Sequence, residues 1–254
     1  MTNIILLARN TFREAIRNKV LYSFVGFSFV FMIASIFMGE VTIGEKVKII
    51  KDLGLSSIQL FGIFIAIFVG IGLIYKEIDK RTIYTIITRP ISRAEFIIGK
   101  YFGLVFTLFI LTLVMTCFFL AIVFYYSHIF EWMLLVPIVF IFIELMVITA
   151  MSIFFSSYAS PFLSALLTLL FFVTGHMTYQ LRSFSKSYGN IYETIMSVAY
   201  YVLPNLENFN FKSRIVHKLP ISSNELIFSF GYGLLWIFTL IMIASLIFRK
   251  RDFK

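Results

Sequence analysis

Apolar residues gather in six long runs along the chain, at 20–39, 57–75, 101–127, 132–155, 160–178 and 225–248. Each is close to the roughly 20 residues that a helix needs to cross a hydrocarbon core about 30 Å thick. The third run would be about 40 Å long as a helix at roughly 1.5 Å per residue, which predicts a tilted span or one that leaves the lipid. The runs are continuous rather than alternating, so they argue against a β-barrel. The pattern predicts an all-α membrane protein with six transmembrane helices in a single domain over 1–254. Spans three, four and five follow one another through short connections near 128–131 and 156–160, as hairpins. Ser160-Pro161 supplies an N-cap and a first-turn proline for the fifth.

The polar stretches carry more detail. In 3–19, Arg9, Arg13 and Arg17 recur every four residues, with Ile5, Ala8, Phe12, Ala15 and Ile16 on the opposite side. This predicts a basic amphipathic helix in the membrane interface rather than a frayed tail. The segment 40–56 reads as a short loop of mixed charge. The segment 76–100 is the most charged part of the chain: 80–89 has the length of a two- to three-turn helix, and Pro90 ends it. Ser92-Arg93-Ala94-Glu95 then fits a capping box, so a new helix should start there and run into span three. Residues 179–224 form a long connection with a short apolar stretch at 191–203, too short to span.

Composition agrees with lipid as the solvent. Hydrophobic residues make up 60% of the chain and charged residues only 14%, against about 25% charged in soluble domains. The net charge of +9 suggests a nucleic-acid partner until it is mapped. With the amino terminus cytoplasmic, 1–19, 76–100 and 249–254 carry 14 Lys and Arg against 5 Asp and Glu. The opposite side carries 8 and 7, counting Glu225 at the edge of the sixth run. The excess is the positive-inside bias, and no nucleic acid is needed. Both termini are therefore expected on the cytoplasmic side, with the first span an uncleaved anchor.

Few residues could carry chemistry. Cys117 is alone, and His128, His176 and His217 have no metal-ligand spacing. Gly99-Lys100 has Ala94 where a P-loop needs its first glycine and Tyr101 where it needs Ser or Thr. No Ser-His or Ser-Lys pair is apparent within the spans. Glu144 is the one ionisable residue deep in a span. It either lines a pathway or is a protonated or hydrogen-bonded structural group, with Thr149 and Ser152 on the same helix. A channel or membrane enzyme acting alone would need more polar residues in the spans.

The run Arg81-Thr82-Ile83-Tyr84-Thr85-Ile86-Ile87-Thr88-Arg89-Pro90-Ile91-Ser92-Arg93-Ala94-Glu95, followed by Gly99-Lys100, resembles the loop after the second span in type-2 (export-class) ABC transporter permeases. Ala8-Arg9-Asn10-Thr11-Phe12-Arg13-Glu14-Ala15, Phe154-Phe155-Ser156-Ser157 with Ser160-Pro161, and Leu203-Pro204-Asn205-Leu206-Glu207-Asn208-Phe209 are also similar, to the subfamily that includes the permease of nitrous-oxide-reductase maturation. The resemblance implies a homodimer in the cytoplasmic (inner) membrane, served by two separate ATPase subunits that bind the ATP and Mg; this chain would bind no cofactor. It implies that Glu77, Lys80, Arg81, Tyr84, Arg89, Arg93 and Glu95 couple to the ATPase, with Arg9, Arg13 and Arg17 on the flanking elbow. It also implies short outer helices around Tyr192, Pro204, Asn205 and Glu207. Separately, the length of 179–224 leaves open an alternative in which the ATPase drives work on a periplasmic partner docked there rather than moving a solute.

Overall fold

The computed structural model describes residues 2–42, 44–79, 92–185 and 204–250. Its helices are α1 (Thr2–Ile16), α2 (Lys19–Val41), α3 (Lys46–Asp79), α4 (Arg93–Ser127), α5 (Leu135–Ser156), α6 (Pro161–Ser185), α7 (Lys212–Val216) and α8 (Ser223–Lys250). Short 3-10 turns lie at Trp132–Leu134 and Leu206–Phe209, and there is no strand among the described residues. Six helices, α2 to α6 and α8, are long and apolar enough to cross a membrane. Four of the six apolar runs lie within one of them; 132–155 starts in the 3-10 turn just ahead of α5, and 160–178 starts one residue ahead of α6.

Burial separates the six. In α3 and in the span that includes α5, 78% and 67% of the most apolar window is buried, against 22–33% in the other four. Thus α3 and α5 form the centre. The others leave residues such as Phe31, Phe37, Phe109, Leu166 and Phe238 exposed, as helices facing acyl chains do. Small residues set the closest approaches: Gly62 faces Leu145, and Gly70 faces the Ser152 hydroxyl.

The second membrane-spanning helix, α3, corrects the reading of 40–56 as a loop. It begins at Lys46, and only a few residues separate it from α2. Its first turns carry Lys46, Lys48, Lys51 and Asp52, which break the apolar run without breaking the helix. Lys46 pairs with Glu40, and Lys51 with Glu131 at 2.5 Å. Charges are stable on a helix that projects beyond the lipid, so hydropathy marked the membrane boundary rather than the helix end.

Asn18 separates α1 from α2: its side chain accepts the Val20 amide at 3.1 Å, and the chain turns there. α1 lies against the start of α4. The buried face holds Thr11 and Ala15, with Leu7 packed on the core, whereas Ile5 and Leu6 are exposed. The inward face is therefore rotated from the one that the apolar pattern predicts, because it is set by the fit to α4 rather than by hydropathy.

The predicted capping box is present. The Glu95 amide donates to the Ser92 hydroxyl at 3.2 Å, and the Ser92 amide donates to the Glu95 carboxylate at 2.9 Å. Ser92→Ala will cost about 1 kcal/mol, the usual loss for such a cap, measured by unfolding in detergent. A cost near zero would mean that α4 is held by packing alone.

The described elements place α1, the start of α4 and the end of α8 together at one end of the bundle. Arg93 joins them, donating to the carbonyls of Phe248 at 3.3 Å and Arg249 at 3.0 Å. We call this the terminal face and the opposite end the distal face.

Candidate functional site

A buried polar cluster lies in the distal half of the bundle, centred on Glu144. That residue is fully buried on the central helix α5. A carboxylate at that depth needs partners, because desolvation of a charge is costly. Thr149 and Ser152 are not among them. Thr149 donates to the Leu145 carbonyl at 2.7 Å and Ser152 to that of Thr149 at 2.9 Å.

The partners come from other elements. Gln59 of α3 donates its amide to Glu144 at 2.6 Å. His176 of α6 places Nε2 2.8 Å from the other oxygen of Glu144. Its Nδ1 lies 3.2 Å from Glu207, in the 3-10 turn at the distal face. A carboxylate only accepts, so satisfying both takes protons on both ring nitrogens. Lys212 of α7 donates to the Gln59 side-chain oxygen. Asn210 donates to the second oxygen of Glu207 at 2.9 Å.

Glu207, Asn210 and Lys212 all belong to 204–217, which packs over the distal end of the bundle and which we call the lid. Its apolar side chains Leu206, Phe209, Phe211, Ile215 and Val216 are buried. Two glycines make room for it. A Cβ on Gly175 would meet Leu206 at 2.7 Å and the Pro204 carbonyl at 2.9 Å. One on Gly233 would meet Ile143 at 2.6 Å and Phe209 at 3.2 Å. Phe211 packs on Phe140, with ring centroids 4.6 Å apart. Asn205 fixes the start of the lid: its amide donates to the Tyr232 hydroxyl at 2.7 Å, and its side-chain oxygen accepts from Thr178 at 3.0 Å.

The electrostatics follow from this arrangement. The hydrogen bond from His176 holds the Glu207 carboxyl below its ordinary value, with a smaller contribution from Asn210. Burial lowers the Lys212 ammonium, while Glu144, Asp52 and Glu207 act against that shift. A carboxyl depressed in the folded state stabilises the fold above its unfolded pKa and loses that contribution as pH falls through the folded one. The lid should therefore remain tied at pH 4.5, the ordinary value of Glu207, and loosen only in stronger acid. Trp236 reports this through Tyr232, 6.3 Å away, whose ring neighbours Phe209 at 6.1 Å. In a Trp132→Phe background, Glu207→Gln should move or abolish the acid transition in Trp236 fluorescence. An identical transition in both proteins would contradict the assignment.

The structure thus joins Glu144 to two of the outer-loop residues singled out in the sequence, Asn205 and Glu207, with Pro204 at the lid's start. Gln59, His176 and Lys212 were missed. Gln59 and His176 each interrupt an apolar run, and a polar side chain in a span needs a partner; nothing in the sequence marked Lys212. On the terminal face, Arg9 and Arg13 are exposed on α1 and Arg17 in the turn just after it, Arg93 holds the end of α8, and Glu95 closes the capping box. Glu77 lies in the last turn of α3. Lys80, Arg81, Tyr84, Arg89 and Tyr192 lie outside the described residues, as do the short helices expected at 80–89 and 191–203.

A family model described as ABC-2 family transporter protein matches residues 5–253, almost the whole chain. No curated protein matches it. With six helices able to span a membrane, and a match that leaves out only a few terminal residues, the chain belongs to the ABC-2 family of transporter proteins.

Proposed function

We propose that the chain is the membrane-spanning permease subunit of an ATP-driven ABC transporter in the inner membrane, acting as a homodimer with two separate ATPase subunits that bind ATP and Mg. The carrying observation is the family match over 5–253. The cytoplasmic side is then the terminal face, as the positive-inside bias requires. The segment between α3 and α4, with Lys80, Arg81, Tyr84 and Arg89, is the coupling element between Glu77 and the Arg93–Glu95 cap. α1 and its arginines flank it. The motifs of this segment and of the lid favour the subfamily that includes the nitrous-oxide-reductase maturation permease.

Motion delivered there reaches the distal side through α3 and α5, because Gln59 and Glu144 on those helices hold the lid. The substituted chain Arg81→Glu/Arg89→Glu should fail to co-purify with the ATPase subunit while unfolding at the wild-type temperature. Retained assembly would refute the coupling assignment. Arg93 is left out of this test because its substitution would also release the end of α8.

A second reading has support in the same cluster. The lid is bonded directly to the membrane core and has an exposed outer edge at Glu207. ATP-driven work could therefore be passed to a periplasmic partner docked there, without movement of a solute. Transport of a labelled solute by reconstituted vesicles favours export. Partner-dependent ATPase activity without solute movement favours transmission.

A further inference from the structure

A groove of about 450 Å³ opens between α1 and α4, lined by Ile5, Ala8, Arg9, Phe12, Arg13 and Phe106. Its depth in the membrane follows from α4. That helix has 35 residues, roughly 52 Å at about 1.5 Å each, well beyond a core of about 30 Å. Its distal boundary is marked by exposed Tyr125 and, just beyond, exposed Trp132, as aromatic belts are. Phe106 precedes Tyr125 by 19 residues, roughly 28 Å along the helix. Phe106 therefore lies at the terminal-side edge of the hydrocarbon. α1, seated on Gly99 and Gly103, lies just outside that edge, at the level of lipid headgroups.

Arg9 and Arg13 are one helical turn apart and exposed at the rim of the groove. The nearest carboxylate on α1, Glu14, is turned to Lys100 at 3.6 Å. Among the described residues, no acidic side chain pairs with either arginine. Two guanidinium groups at this spacing suit the oxygens of one phosphodiester. The edge-to-face rings of Phe12 and Phe106, 4.9 Å between centroids, form an apolar wall running from the rim toward the acyl region.

We propose that this groove binds one anionic phospholipid, with Arg9 and Arg13 on its phosphate and Phe12 and Phe106 along an acyl chain. An acidic protein surface would engage the exposed Arg9, Arg13 and Arg17 alike and would have no use for the groove. Arg17 lies outside the groove lining, so it separates the two cases. The proposal rests on the six-span membrane architecture and not on ATPase coupling.

The test uses the full chain purified in mild detergent, without an ATPase, and reads lipid retention by native mass spectrometry. Probes are phosphatidylglycerol, phosphatidylcholine and chain-free glycerol phosphate. Phosphatidylglycerol should bind about thirtyfold more tightly than phosphatidylcholine, the size expected for two well-placed arginines. Glycerol phosphate should not compete at equal concentration. Arg9→Gln/Arg13→Gln should lose the preference, Phe106→Ala should weaken binding of both lipids, and Arg17→Gln should leave all values unchanged. Competition by glycerol phosphate, or an equal loss in Arg17→Gln, would overturn the proposal. So would a wild-type preference in the double substitution, whose side chains are exposed and whose fold is checked by its unfolding temperature.

Discussion

Glu144→Ala should destabilise the chain by about 3 kcal/mol, the cost of breaking a buried charged pair by removing one member. Substitution removes the acceptor of both Gln59 and His176 and leaves a void on α5, one of the two central helices. His176 keeps only Glu207, and the lid loses its polar tie to α5, keeping the packing of Phe211 on Phe140. Glu144→Gln, which preserves shape, should cost about 1 kcal/mol, nearer a single hydrogen bond. The double substitution Glu144→Ala/His176→Ala should be less damaging than the sum of the single ones, because the two groups share one interaction. Unfolding in mixed micelles measures all three. A loss below about 1 kcal/mol for Glu144→Ala would mean that the cluster contributes little to holding the lid.

The second large effect is expected at Gly103. A Cβ there would lie 2.6 Å from the Ala8 carbonyl oxygen and 2.6 Å from Thr11 Cβ. Both belong to the body of α1, so no side-chain rotation relieves the clash. Gly103→Ala should cost about 2 kcal/mol, within the usual range for overpacking, and should lift α1 from α4. Cysteine labelling at position 11, buried in the intact protein, would report the release. Gly72 is the control: nothing lies within 4 Å of its added Cβ. Gly72→Ala should be neutral or slightly stabilising, since alanine is the better helix former. Equal effects at the two glycines would contradict close helix approach as the role of Gly103.

The span count and the start of α4 were legible because each is local: about 20 apolar residues make a span, and Ser92 with Glu95 makes a cap. The start of α3 was not, because Lys46, Lys48 and Lys51 look like a loop until Glu40 and Glu131 are seen beside them. Glu144 was recognisable from its depth, but its partners were not. Gln59, His176 and Glu207 are dispersed over some 150 positions, and only the packing of α3, α5, α6 and the lid brings them together. The lid itself reads as a connection in the sequence. Its burial depends on Gly175 and Gly233, two glycines in apolar helices whose purpose is visible only once Leu206 and Phe209 are seated against them.

The proposed function is tested most directly by ATP hydrolysis in a reconstituted complex of this chain with its ATPase subunit. ATPase activity should depend on the wild-type chain. In Arg81→Glu/Arg89→Glu it should fall to the level of the ATPase alone, at unchanged stability of the permease. Hydrolysis that is the same with the wild-type chain, with the substituted chain and with no permease at all would contradict the assignment of this protein as a coupled permease subunit.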